Sequence, residues 1–143
     1  MFCTFIDFTS EKTFDMVILP DVLEHIPLEQ HKKLFSIIAA HTHDESLVYI
    51  NIPSPHFQDY VSIHQKDLQQ IIDLSLGTEL ILPAFTANGF YIHSLKNYPL
   101  AVVECDYQEI VLKKQKKLNS IRYFSKYNLI KLELISRLRL LFG

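Results

Sequence analysis

The feature that most constrains this chain is the pair of apolar runs Phe14-Asp15-Met16-Val17-Ile18-Leu19 and Ser46 to Ile52 (SLVYINI). A strand with one solvated face alternates apolar and polar residues. A nearly continuous apolar stretch suits a strand buried on both faces, as in a parallel sheet. Pro20-Asp21 closes the first run and Pro53-Ser54-Pro55 the second. From Pro27 onward Leu34, Ile37 and Ile38 recur at helical spacing, with Glu29, Gln30, Lys32 and Lys33 interleaved. That is an amphipathic helix with one face for a sheet. His41 to Glu45 is a polar break before the second run. Phe14 to Pro53 therefore predicts strand, helix, strand: a βαβ unit with parallel strands and a right-handed crossover.

The rest of the chain is less periodic. Pro, Ser, His, Gln and Asp dominate residues 54–67 and predict a loop. Leu68, Ile71 and Ile72 fit either a short helix or a short strand. Gly77 to Asn88 predicts a helix stopped by Asn88-Gly89. Phe90 to Leu95 (FYIHSL) and Tyr107 to Leu112 (YQEIVL) alternate like strands and predict an antiparallel pair at a sheet edge. Residues 115–142 contain neither Gly nor Pro and predict a long helix.

Length and composition narrow the class. With 143 residues, 48% of them apolar, the chain suits one domain with a sizeable core. No run approaches the roughly 18 consecutive apolar residues of a membrane span. Met1 to Asp7 lacks the basic and apolar regions of a secretory signal. Cys3 and Cys105 are isolated and fit a reduced, cytoplasmic setting. Glycine occurs only at Gly77, Gly89 and Gly143, so no glycine-rich nucleotide loop can be drawn. Charge is segregated. Residues 1–110 hold 5 Lys/Arg and 15 Asp/Glu, whereas residues 111–143 hold 9 and 1. This basic tail interleaves Lys116, Lys117, Arg122, Lys126 and Lys131 with Leu118, Ile121, Phe124, Leu129 and Ile130. Residues 115–143 can pack on the chain itself or on another copy. They can also lie peripherally on an anionic membrane surface. Nucleic acid is disfavoured, because the acidic remainder repels phosphate.

The segment Phe14 to Pro27 (FDMVILPDVLEHIP) resembles the fourth strand and following loop of class I S-adenosylmethionine-dependent methyltransferases, in which Phe-Asp, a β run and Val-Leu-Glu-His recur together. The later elements come in a similar order too: a helix, YINIPSP as a fifth strand, a helix ending at Asn88-Gly89-Phe90, and two edge strands, with Asp106 to Lys114 resembling the family's last strand. The likeness covers residues 7–114. It implies an α/β fold, the C-terminal half of a Rossmann-like methyltransferase sheet: the βαβ unit, then a helix and an antiparallel edge strand pair. Residues 1–114 would form this partial domain, and residues 115–143 a basic amphipathic C-terminal helix. It implies S-adenosylmethionine as cofactor and a small-molecule or sugar/glycan acceptor. The cofactor would lie against Leu19, Pro20 and Asp21, and against Asp7 and Phe8, since Phe5-Ile6-Asp7-Phe8 resembles the family's adenine contact. The family places three more strands and a glycine-rich loop before this point. The resemblance therefore implies a truncated reading frame, a fragment, or a subunit completed by a missing N-terminal half or a homo-oligomer, with weak cofactor binding and no activity of its own. The alternative is a non-catalytic interaction module that pairs through an open sheet edge or its basic helix.

Candidate site residues come from the fold class. In open α/β sheets the ligand crevice lies at the carboxyl ends of the strands. Here those ends are Leu19 to Asp21 and Ile52 to Ser54. His25 is the candidate base, since imidazole titrates near neutrality; the other reading has Glu24 and His25 capping or orienting the next helix. Pro53, Ser54, His56 and Tyr60 would line the acceptor pocket or form an ordinary surface loop. His41-Thr42-His43-Asp44 lacks the further ligands of a metal motif, so no metal is expected. Methyl transfer needs no nucleophilic triad, because it is an in-line displacement governed by positioning.

Overall fold

The computed structural model describes residues 8–65, 71–116, 119–121, 123–128, 130, 131, 134 and 135. Strand β1 (Phe14–Pro20) leads through a short 3-10 turn at Leu23–His25 into helix α1 (Leu28–Ala40) and strand β2 (Thr42–Pro53). Helices α2 (Pro55–His64) and α3 (Thr78–Ala87) precede strands β3 (Phe90–Tyr98) and β4 (Tyr107–Lys114). The sheet order is β1-β2-β4-β3. β1 and β2 are parallel, from Met16 opposite Leu47 to Pro20 opposite Asn51. β4 runs antiparallel to both its neighbours. The predicted βαβ unit and edge pair are therefore present, with the last strand inserted beside β2.

The core lies between the sheet and the α1–α3 pair. Val48, Ile50, Ile52, Ile110 and Leu112 point from the strands towards Leu34, Phe35 and Ile38 of α1 and Ile81 and Phe85 of α3. Phe35 sits at its centre, edge-on to Phe85 at 4.7 Å and to Phe90 at 6.3 Å between ring centroids. On the alternate residues of the strands the chemistry is polar. Tyr49 donates to the Glu109 carboxylate (3.1 Å) and Tyr98 to the Asn51 side-chain oxygen (2.8 Å). β1 was expected to be buried on both faces, but Met16 is 48% and Ile18 56% exposed. Among the described residues β1 pairs on one edge only, and nothing covers this second row.

Three other expectations change. The polar break at His41 to Glu45 does not precede β2; it forms an irregularity within its start, where the register jumps from Phe14 opposite Thr42 to Met16 opposite Leu47. The excursion is held because the Ser46 hydroxyl donates to Phe14 O (2.7 Å) while accepting from His43 N–H (2.9 Å). Residues 55–64 are a helix, not a loop. Pro55 stands in the first turn, where its fixed φ is already helical and its missing N–H costs nothing. The tail is not helical from residue 115. Gln115 N–H is used by Gly89 O (2.8 Å), which extends the β3–β4 ladder instead. Helical backbone starts at Lys126, after Ser125, whose hydroxyl accepts from Asn128 N–H (3.3 Å) as an N-cap does. Residues 136–143 of the expected helix lie outside the described residues. No helix among the described residues is long and apolar enough to cross a membrane.

Candidate functional site

At the carboxyl ends of β1 and β2 the chain turns away from the sheet, and a cleft of about 230 Å³ opens there. Its lining comes from three separate stretches: Asp21, Glu24 and His25 after β1; Pro53, Phe57, Gln58 and Val61 from the end of β2 and α2; and Asp73 and Tyr107 from farther along the chain. Asp21 starts it. Its N–H still follows the strand, donating to Asn51 O (2.8 Å), but its φ of 48° is left-handed and breaks the extended run. Aspartate tolerates that region better than most residues, and such strain gathers at functional turns. The turned-out carboxylate accepts a hydrogen bond from the Tyr107 hydroxyl. Burial, this bond and the nearby charges of Asp21, Glu24 and Asp106 push the phenol up to about 12.

The following turn is pinned from beneath by His31, a residue that the sequence pattern does not single out. Its ring is buried, and Nε2–H is shared between Ile26 O (2.9 Å) and Leu23 O (3.2 Å). Burial holds this imidazole below its usual pKa, against the two carbonyl contacts, which favour the protonated ring. Residues 72–74 close the turn from the side, with Leu74 N–H donating to Glu24 O (3.0 Å). Glu24 is thereby enclosed: it is 2% exposed, and Oε2 has no hydrogen-bond partner among the described residues. Burial raises its pKa; its own backbone N–H and His25 oppose that rise, while Asp21 and Asp73 add to it. Neither Glu24 nor His25 caps α1, whose N-cap position is Pro27.

His25 has the geometry of a base. Nδ1 lies 2.7 Å from Ile72 O and must donate to it, because a carbonyl only accepts. In neutral imidazole that tautomer leaves the lone pair on Nε2, which stands 3.8 Å from Glu24 Oε1. Asp73 Oδ1 stands 3.8 Å from Nδ1, so carboxylates flank both ring nitrogens.

The other candidates are distributed more widely. Leu19 is buried in the core, so only its backbone faces the strand end, whereas Pro20 is exposed. Pro53 lines the cleft. Ser54 is buried, and its hydroxyl donates to Cys105 O (2.9 Å). His56 Nε2–H donates to Glu104 O (2.9 Å). Tyr60 stacks on His64 (4.5 Å) and, with His56 and Val102, borders a second hollow of about 550 Å³. Phe57 lines both hollows, so the expected acceptor residues divide across α2. Phe8 is not brought to the cleft. It packs on Phe14 (6.2 Å) and His41 (5.0 Å) at the opposite end of β1, drawn there as Ser10 N–H donates to the His41 ring. Asp7 lies outside the described residues. The polar cluster at His41 to Asp44 is used locally: His43 donates to Asp15 (2.9 Å) and His41 to Ile37 O (2.8 Å). Among the described residues no group of three His, Cys, Asp or Glu is arranged to hold a metal. The polar composition of residues 54–67 hides Gln58 and Val61; the spacing Ser54, Gln58, Val61 carried the helical signal that would have found them.

No protein-family model matches the sequence, and no curated protein matches it. Solved structures do. A S-adenosylmethionine-dependent methyltransferase from Clostridium acetobutylicum superposes with a TM-score of 0.61 at 9% identity, covering 80% of this chain and 63% of that one. One from Methanosarcina mazei gives 0.63 at 10% identity, covering 80% and 66%. Magnesium protoporphyrin IX methyltransferase from Synechocystis PCC 6803, with bound S-adenosylhomocysteine, gives 0.58 at 17% identity, covering 80% and 50%. The fold is that of the class I methyltransferases, present in part: the chain spans about half to two thirds of the length of these three.

Proposed function

We propose that this chain forms the acceptor side of a S-adenosylmethionine-dependent methyltransferase and acts on a small-molecule or sugar acceptor, with weak cofactor binding by itself. The observation that carries the reading is the cleft at the β1 and β2 ends, where His25 holds a free Nε2 lone pair beside Glu24. When bound, the cofactor supplies a methyl group on a sulfonium. Backbone at Leu19 to Asp21 would hold it, at the turn opened by the left-handed Asp21. His25 Nε2 takes the proton of an acceptor hydroxyl or amine, and Ile72 O keeps the ring oriented. Among the described residues neither Gly77, before α3, nor Gly89, before β3, follows the carboxyl end of a strand, so the close backbone approach that anchors such cofactors is not supplied by them.

An NMR titration with S-adenosylhomocysteine tests this reading. The expected result is shifts confined to Leu19–Asp21 and Ile52–Ser54, with a Kd weaker than about 100 µM, roughly −5.5 kcal/mol. Tighter binding would contradict the incomplete anchor. Absence of shifts at both strand ends up to about 10 mM would remove the methyltransferase reading.

One observation favours a second reading, a non-catalytic interaction module. The open edge of β1 carries exposed Phe14, Met16 and Ile18 with Asp15 as its one charge, whereas β3 is interrupted between Ile92 and Ser94 and carries Lys96. Open apolar edges recruit strands from other chains. Sedimentation velocity then separates the cases: the module reading expects self-association that Met16→Lys abolishes, and a concentration-independent monomer would sink it.

A further inference from the structure

Two buried side-chain atoms of residues that line the cleft, Glu24 Oε2 and Gln58 Nε2, have no hydrogen-bond partner among the described residues. Gln58 is itself only 4% exposed. Buried polar atoms are nearly always paired, and a carboxylate oxygen left without a donor forfeits its solvation for nothing. Two such atoms, on residues from elements far apart in sequence that border one hollow, point to a molecule that would pair them there.

The charges decide what that molecule is. Asp21, Glu24 and Asp73 line the cleft, and no lysine or arginine does among the described residues. Asp21 already accepts from Tyr107, and Asp73 has interactions of its own. Glu24 retains an unused oxygen. A carboxylate or phosphate ligand would add to the repulsion, and a neutral hydroxyl would satisfy the oxygen while leaving the negative charge uncompensated. An ammonium does both. The aromatic walls, Phe57 and Tyr107, present ring faces or edges that suit a cation carried on an apolar stem.

We propose that the acceptor bound in this cleft is a protonated amine with an apolar or aromatic stem, its ammonium donating to Glu24 Oε2 and its stem lying against Phe57. The Gln58 amide adds a hydrogen bond, turning its oxygen or its NH2 to the ligand as the neighbouring group requires. The cleft volume of about 230 Å³ suits a single small group rather than a large one. The raised pKa of Glu24 is consistent with this: the cost of burying its charge is relieved by a cation. The inference takes from the methyl-transfer reading only the location of the acceptor. Its test uses no cofactor, so the two readings fail separately.

The probes are three molecules of one shape: 2-phenylethylamine, 2-phenylethanol and phenylacetate, titrated into the isotope-labelled full chain. The amine is expected to give saturable shifts at the amides of Glu24, His25 and Gln58, at least about tenfold tighter than the alcohol, since hydrogen bonds between ionised groups exceed neutral ones by that order. Phenylacetate is expected to give none. Glu24→Gln, checked as folded by its own amide spectrum, is expected to bring the amine down to the level of the alcohol. The proposal fails if the alcohol or the acid matches the amine. It also fails if the amine produces no shift at these residues up to about 10 mM, or if the Gln variant binds the amine as tightly as the parent. The comparison of the three probes on the parent chain decides the matter even if the variant does not fold.

Discussion

Phe35→Ala is expected to lower the unfolding free energy by about 3–5 kcal/mol, measured by urea denaturation followed by far-UV circular dichroism. Phe35 is fully buried, and it is the residue at which α1, α3 and β3 meet, through the edge-on contacts with Phe85 and Phe90. Truncation removes its apolar area and leaves a hole bounded by two rings and by Leu34 and Ile38, which regular secondary structure keeps from closing. Small domains are stable by only about 5–15 kcal/mol, so the variant is expected to be largely unfolded at moderate urea. Phe35→Leu keeps most of the volume and is expected to cost less than half as much. Equal losses for the two variants would show that packing around Phe85 is not what holds the α1–α3 pair on the sheet.

Asp106→Asn is expected to cost about 2–3 kcal/mol and to loosen the cleft as well as the fold. Burial alone would raise the pKa of this carboxylate. Four backbone N–H groups, those of Leu100, Ala101, Val102 and Asp106 itself, outweigh burial and hold it below its ordinary value. The shortest contacts are Leu100 N–H to Oδ1 (2.7 Å) and Ala101 N–H to Oδ2 (3.0 Å). An amide can accept on one side only, so its NH2 must face a donor on the other. The consequence reaches α2, because the same loop supplies Asp106 O to Ser54 N–H (2.7 Å), Cys105 O to the Ser54 hydroxyl and Glu104 O to His56. The pH dependence comes from the direction of the shift. The unfolded chain binds this proton first, near 3.8, so the contribution of Asp106 is complete above that pH and is lost as pH falls through the lower folded value. The parent is therefore expected to lose stability on acidification through this range by more than the Asn variant, in paired denaturation curves at neutral and acidic pH. Parallel losses would show that Asp106 does not carry the acid sensitivity.

Legibility in the sequence tracked the range of the interaction that decides each feature. The β1–α1–β2 unit could be read because it is local. Proline at Pro20 and Pro53 ends both strands, and Leu34 and Ile38 place one face of α1. The stop of α3 was equally local, since Gly89, at φ 77°, adopts the left-handed backbone that a terminating glycine provides. The misreadings have the same origin. Residues 55–64 look like a loop by composition, and only Pro55 in the first turn and the burial of Gln58 and Val61 show otherwise. The exposed row of β1 could not be foreseen either, because a continuous apolar run does not say what lies against each face.

By itself the sequence determined the β1–α1–β2 unit, helix α3 and the antiparallel edge strands, the parallel pairing of β1 and β2 and the position of their carboxyl ends, because periodicity, prolines and glycines act over a few residues. Asp21 and His25 could be picked out on that basis alone. The tertiary structure decided everything that makes those residues a site. Tyr107 reaches Asp21 only because β4 inserts beside β2, and Ile72 selects the His25 tautomer across 47 positions of chain. Glu24, a helix cap on sequence grounds, becomes the enclosed carboxylate of the cleft because residues 72–74 fold back over its turn. Such contacts join distant segments through sheet order and loop closure, and no local pattern of residues encodes which two ends will meet.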